Sequence, residues 1–271
     1  MPSPTDFNLS PYFDDYAESK KFHRVLFRPA FAVQARELTQ SQTILQNQVE
    51  KVSDHIFKKG AMVIPGEIGY DLNYYAVKLT SYSGTATLAN LQDVTFTGTT
   101  SGVTAKVTNS SITDGTDPDT LFVKYTNSGT SNSSTSFTDG ETITGSKTID
   151  GVVTALTAVV NTTATGAAAF VAAGTYYING FHVEVAKQSI ILDKYTNTPS
   201  YRVGLTISET FVTQNDDGTL NDNAAGSSNV NAPGAHRFKI DLTLTKLTIA
   251  SAEDANFVEL LRLSAGNIQN Q

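Results

Sequence analysis

Between Phe27 and Lys59 the apolar positions recur in steps of four and three. Phe31, Leu38, Leu45 and Val52 form one column, and Ala35, Gln42, Val49 and Ile56 form the other. This is a heptad seam, with the first column at d and the second at a. The pattern predicts a long N-terminal helix over residues 30–59, with its last turn near Phe57. Pro29 suits a first turn, Gly60 a C-terminal stop, and Lys58 and Lys59 the negative end of the helix dipole. So narrow a seam packs against another helix, including a copy of itself. Its candidate interface residues are Phe31, Leu38, Gln42, Leu45, Val49, Val52 and Ile56. Gln42 reads as a polar defect in the seam or as a device that fixes register.

Elsewhere the period shifts from three-and-a-half to two. Short alternating runs are expected as strands at 61–64, 74–80, 94–97, 103–107, 121–125, 141–144, 152–160, 189–192, 201–207 and 237–248. Asp114-Gly115, Asp139-Gly140 and Asp150-Gly151 punctuate them as turns. The sharpest local signal is 176–185, two strands joined by Asn179-Gly180 in a hairpin turn. In 237–248, Phe238, Ile240, Leu242 and Leu244 alternate with Lys239, Asp241, Thr243 and Thr245.

The expected organisation is α+β and mainly β. Residues 1–29 form an extended arm, and 30–59 the helix. Residues 60–80 and 167–250 form the main β domain, 81–166 a small inserted all-β domain, and 251–271 a C-terminal helix. For that last helix, Ser251 serves as cap and Glu253 and Asp254 as acidic first-turn residues over 252–263. The arm holds Pro2, Pro4, Pro11 and Pro29 among aromatic side chains. Phe7, Tyr12, Phe13 and Phe22 are its candidate anchors, expected in pockets of a second polypeptide; the alternative is an arm folded back on its own domain.

Composition narrows the function. Charged residues make up 17% of the chain and the net charge is −7, so no nucleic-acid partner is expected. There is no cysteine, which excludes disulfides, thiolate metal sites and a cysteine nucleophile. No run of about 18 apolar residues is present, so no membrane insertion by a helix is expected. The N-terminus lacks a basic-then-apolar leader, and the chain reads as a soluble product of a cytoplasm.

Candidate chemistry is sparse. His23, His55, His182 and His236 stand in no metal-ligand spacing, and no nucleophile elbow, P-loop or dinucleotide fingerprint occurs. Asp14-Asp15 and Asp216-Asp217 diverge in extended backbone and make poor acid/base pairs. Asp114, Asp117 and Asp119 are oxygen donors that could hold Ca²⁺, though their spacing is not that of an EF-hand and a solvated turn is the plainer reading. No cofactor, resident metal or catalytic residue is expected.

Three segments resemble a known family. They are LSPYFDDYAESKKFHRVLFRPAFAVQARELTQSQTILQNQVEKVSDHIFKKGAMVIPG, TYYINGFHVEVAKQSIILDKYTNTPSYRVGLTISE and DDGTLNDNAAGSSNVNAPGAHRFKIDLTLTK. Together they are similar to an uncharacterised family of large virion structural proteins of tailed phages, notably cyanophages and other T-even-like myophages. The resemblance covers roughly 6–80 and 170–250. It implies a virion tail protein of the baseplate or fibre-attachment region, made in the host cytoplasm, assembling as a homotrimer and with other tail proteins, without catalysis. Family members usually continue past the third segment, so a fragment of a longer chain is expected. The alternative is a host-surface carbohydrate-binding module in the insert, for which Tyr82, Phe96, Tyr125 and Phe137 are the candidate aromatic residues.

Overall fold

The computed structural model describes residues 4–130, 132–226 and 228–270. Among them one α-helix, α1 (Ala35–Ile56), precedes fourteen strands. These are β1 (Met62–Ile64), β2 (Ile68–Ser83), β3 (Thr95–Gly98), β4 (Thr104–Ser111), β5 (Thr120–Asn127), β6 (Thr142–Ile149), β7 (Val152–Val171) and β8 (Gly174–Ile178). They continue as β9 (Phe181–Val185), β10 (Gln188–Asp193), β11 (Tyr201–Val212), β12 (Arg237–Thr248), β13 (Phe257–Ser264) and β14 (Asn267–Asn270). The chain is mainly β, with 45% of residues in strands and 12% in helices.

Two long strands, β2 and β7, run antiparallel through two hydrophobic cores. Their far halves belong to a closed ring in the order β7-β2-β5-β4-β3-β6, because β6 pairs back onto β7 from Ile149↔Val152 to Thr142↔Val159. Every pair in the ring is antiparallel. Closure removes the exposed edges that an open sheet would carry. Val77, Leu91, Phe96, Val107, Leu121, Val123, Ile143, Leu156 and Val160 fill the ring. The turn from β6 to β7 is Asp150-Gly151, with φ of 49° and 81° at the two residues, as a two-residue hairpin loop requires.

The near half of β7 pairs with β2 on one side and with β10 on the other, and this end of the sheet packs with two others. One has the order β1-β8-β9 and the other β12-β11-β13-β14. Ala167, Ala169, Val171, Tyr176, Ile178, Leu192, Leu205, Leu261 and Leu263 are buried between them. β12 spans the whole of the alternating segment and pairs with β11 from Tyr201↔Thr248 to Val212↔Arg237. The Gln188 carboxamide donates to Leu242 O at 2.9 Å and accepts from Leu244 N at 2.8 Å. One side chain thus stands in for a neighbouring strand at two ladder positions of β12.

Two expectations are corrected. The long helix over residues 30–59 is a 22-residue helix, Ala35–Ile56. Ala30 takes φ 67°, which no right-handed helix contains. The Gln34 N–H donates to Glu37 Oε2 at 3.0 Å, so the reciprocal cap starts the helix there. Phe31 therefore lies before the helix rather than on its seam. The expected C-terminal helix is absent: 257–264 is β13, paired with β11, and β14 follows after a turn at Ala265-Gly266 with φ of 48° and 79°. The free edge of β11 and a buried apolar face for Phe257, Leu261 and Leu263 outweigh local helix preference. The supposed cap residues are otherwise engaged. Buried Arg202 donates to Ser251 O at 2.6 Å and pairs with Asp254 and Glu259.

Candidate interaction surface

α1 is amphipathic in an inverted sense. The side turned to its own chain presents Thr43, Gln46, Asn47, Glu50 and Ser53, with Ile44 its one buried apolar residue. Its contacts are polar. Gln46 Nε2 donates to Gly180 O at 2.7 Å, the Tyr177 hydroxyl to Asp54 Oδ1 at 2.7 Å, and Ser53 Oγ lies 3.2 Å from His182 Nε2. The helix rests on the β8–β9 hairpin, whose Gly180 adopts φ 91° and leaves no room for a Cβ without displacing Glu50. The Tyr177 bond holds the Asp54 carboxyl below its usual range, while burial, then Asp54, pushes the tyrosine up.

The seam faces outward. Leu38, Leu45, Val49, Val52 and Ile56 are each between 47% and 67% exposed, and Gln42 is exposed among them. Surface helices ordinarily turn the apolar stripe inward; here that stripe meets solvent. The residues beside it, Thr39, Ser41, Gln46, Gln48, Ser53 and His55, carry no acidic or lysine side chains. A second copy laid along the seam would bring no like-charged carboxylates or ammonium groups together there. Covering the exposed parts of the five apolar side chains would contribute roughly 5–8 kcal/mol per chain.

The arm divides in two. Its first half folds back: Phe7 sits edge-on to Phe211 and Phe238, with centroids 5.9 and 5.0 Å away, and Tyr12 stacks on Phe211 at 5.0 Å. The Tyr12 hydroxyl lies 2.8 Å from His236 Nδ1. Further on, Asp14 accepts from Thr43, Asp15 from Gln40 at 3.1 Å, and Glu18 pairs with Lys51, tying the arm along α1. Phe7 and Tyr12 thus fill sites on their own chain, because Phe211 and Phe238 leave an aromatic surface that the arm is long enough to cover. Pro2 lies outside the described residues. Phe13 and Phe22 are exposed, as are Leu26, Phe27, Phe31 and Val33 in the second half. The apolar surface of 22–33 and of the α1 seam is large for one small chain.

A family model for a domain of unknown function, DUF4815, matches residues 10–135 and 132–271. The chain belongs to the DUF4815 family. No curated protein matches it, and neither does any solved structure. The two matched stretches of the DUF4815 chain overlap in the loop between β5 and β6.

Among the described residues of this DUF4815 chain, His23, His55, His182 and His236 do not come together around a metal. No group of three or more His, Asp or Glu side chains suited to a metal occurs among the described residues. Asp114 Oδ1 accepts from the Thr116 and Asp117 N–H groups, and Lys194 sits between Asp114 and Asp117 at 3.4 and 3.3 Å. A lysine occupies the position a cation would take. Those backbone bonds, with Lys194, hold Asp114 at a pKa of about 2. No helix among the described residues is long and apolar enough to cross a membrane. Of the aromatics in 81–166, Phe96 and Phe137 are buried in the ring core, and Tyr82 and Tyr125 are half-buried against it.

One site was invisible to motif reading. Glu141 is buried at the ring's end, accepting from Thr100 N at 3.1 Å, Ser101 N at 2.9 Å, Thr138 N at 2.7 Å and Ser101 Oγ at 2.8 Å. Burial alone would raise its pKa, but these donors outweigh it and hold the carboxyl below the usual range. Gly98 is required beneath it, since a Cβ there would stand 2.6 Å from Glu141 Oε2. The Thr-Ser-Gly loop at 99–102 contains the donors, but no spacing rule ties it to a glutamate 40 positions on. The arrangement closes the ring and presents no free oxygen to a reactant.

Proposed function

We propose that this chain is a non-catalytic assembly component of a phage tail, in the baseplate or fibre-attachment region, self-associating through the α1 seam. One observation carries the assembly reading: the helix is docked by its polar side and holds its apolar heptad side out. Such an arrangement costs free energy in an isolated chain and is repaid when a second seam covers it. The tail location rests on the three segments that resemble virion structural proteins. The homotrimer rests on that same resemblance, together with a seam free of like-charged neighbours. Residues 22–33 supply further apolar surface for the same assembly.

The test is made on particles of the phage that encodes the chain. Mass spectrometry of purified virions should find the chain in the tail fraction, with cross-links between Lys51 or Lys58 of neighbouring copies. Virions that lack the chain, or tails in which those lysines never cross-link to a second copy, would overturn the proposal.

A further inference from the structure

The β2–β5 ladder opens at Tyr75↔Val123, its last pair on this side. Beyond it β2 stays beside β7 with a break in register between Asp71 and Tyr74, and β5 stays beside β4 through Tyr125↔Ala105. The strands splay, and a cleft of about 370 Å³ lies between them, lined by Asp71, Asn73, Tyr74, Tyr75, Lys124 and Tyr125 among others. Irregularities of this kind re-aim side chains and recur beside binding sites.

The lining is aromatic within and polar at the rim. Tyr75 is 38% exposed and packs edge-on to Tyr125 at 5.1 Å, which in turn meets Phe137 at 5.3 Å. Tyr74 is fixed by stacking on Phe122 at 5.7 Å and by its hydroxyl bond to Thr108. The aromatic wall is thus held from behind, with little freedom left to lose on binding. The rim groups are uncommitted: no side-chain partner engages the Asn73 carboxamide, the Tyr75 hydroxyl or the Lys124 ammonium among the described residues. Asp71, exposed in the lining of the cleft, accepts from the Asn73 N–H at 2.8 Å.

We propose that this cleft binds a neutral oligosaccharide. A pyranose has a C–H face that lies on an aromatic ring and equatorial hydroxyls that need donors and acceptors at its edge. Tyr75 and Tyr125 offer the first, and Asp71, Asn73 and Lys124 the second. One carboxylate and one ammonium cancel, so the cleft selects neither an anionic nor a cationic ligand. The volume fits roughly two sugar rings. The cleft holds a single carboxylate, Asp71, whereas glycoside hydrolysis ordinarily uses two flanking the bond; the outcome is binding without cleavage. This site is apart from the α1 seam and does not depend on the assembly reading.

The test is calorimetric titration of the full chain with neutral hexasaccharides built from glucose, galactose or mannose. At least one should bind saturably, weaken at least tenfold in Tyr75→Ala and weaken several-fold in Asn73→Ala. Asn73 is on the surface, so its variant remains informative if Tyr75→Ala loosens the ring. Absence of binding to every hexasaccharide, or binding unchanged in both variants, would overturn the proposal.

Discussion

Glu141 shows how one side chain can organise a loop far from it in sequence. Its carboxylate is buried and takes four donors from residues 100, 101 and 138. Replacing it with Gln turns one acceptor oxygen into a donor facing backbone N–H groups. Glu141→Gln should therefore destabilise the chain by about 2 kcal/mol at neutral pH, as measured by urea unfolding. The pH dependence follows from the direction of the shift. Because the folded pKa is below the ordinary 4.5, the carboxylate's contribution is complete above that value and disappears as pH falls through the folded one. The deficit of Glu141→Gln should shrink over the same acidic range; a deficit constant with pH would contradict the account. None of this was legible in the sequence, where Glu141 reads as the first residue of a modest strand. The anchors Phe7 and Tyr12 were legible as anchors but not as to what they anchor on. Phe211 and Phe238 lie between 199 and 231 positions away, and nothing local marks them as partners.

At the scale of elements, alternation and turn chemistry carried furthest. The hairpin at Asn179-Gly180 and the strand Arg237–Thr248 follow directly from a positive-φ pair and from an alternation that holds from Phe238 to Thr245. Gly180 does more than turn the chain, because it is also where α1 rests. Gly180→Ala should cost about 1–2 kcal/mol through strain at φ 91°. It should also loosen α1, since the new methyl group would meet Glu50 within 3.1–3.3 Å; hydrogen exchange should report faster opening of Gln46–Ser53 amides than elsewhere in the chain. Equal protection across the molecule would argue that the helix does not depend on the hairpin. The C-terminal segment misleads for the opposite reason. Ser251, Glu253 and Asp254 are good helix-start residues locally, but Arg202 engages Ser251 O and Asp254, and β11 offers an open edge. The Ala265-Gly266 turn was the available signal for two strands there.

For the whole molecule, the division into two cores is the main consequence of the topology. All residues of the second core lie outside 81–166, and β2 and β7 still pair from Ile68↔Val171 to Asp71↔Ala168 below the ring. Replacing 81–166 with a short turn should leave a folded protein with a cooperative thermal transition; a chain that loses that transition would show that the ring supports the rest. The exposed seam belongs to this scale as well. Its heptad pattern was legible, while the side of the helix that the chain itself would cover was not, since that depends on polar contacts from Gly180, Tyr177 and Asp14. The most direct measurement is sedimentation equilibrium of the purified chain and of Leu45→Asp. Leu45 is 67% exposed, so the substitution should change the stability of the isolated chain by no more than about 0.5 kcal/mol. The unaltered chain should sediment as a trimer and Leu45→Asp as a folded monomer. A monomer in both cases, or a trimer undisturbed by the charge, would contradict the account.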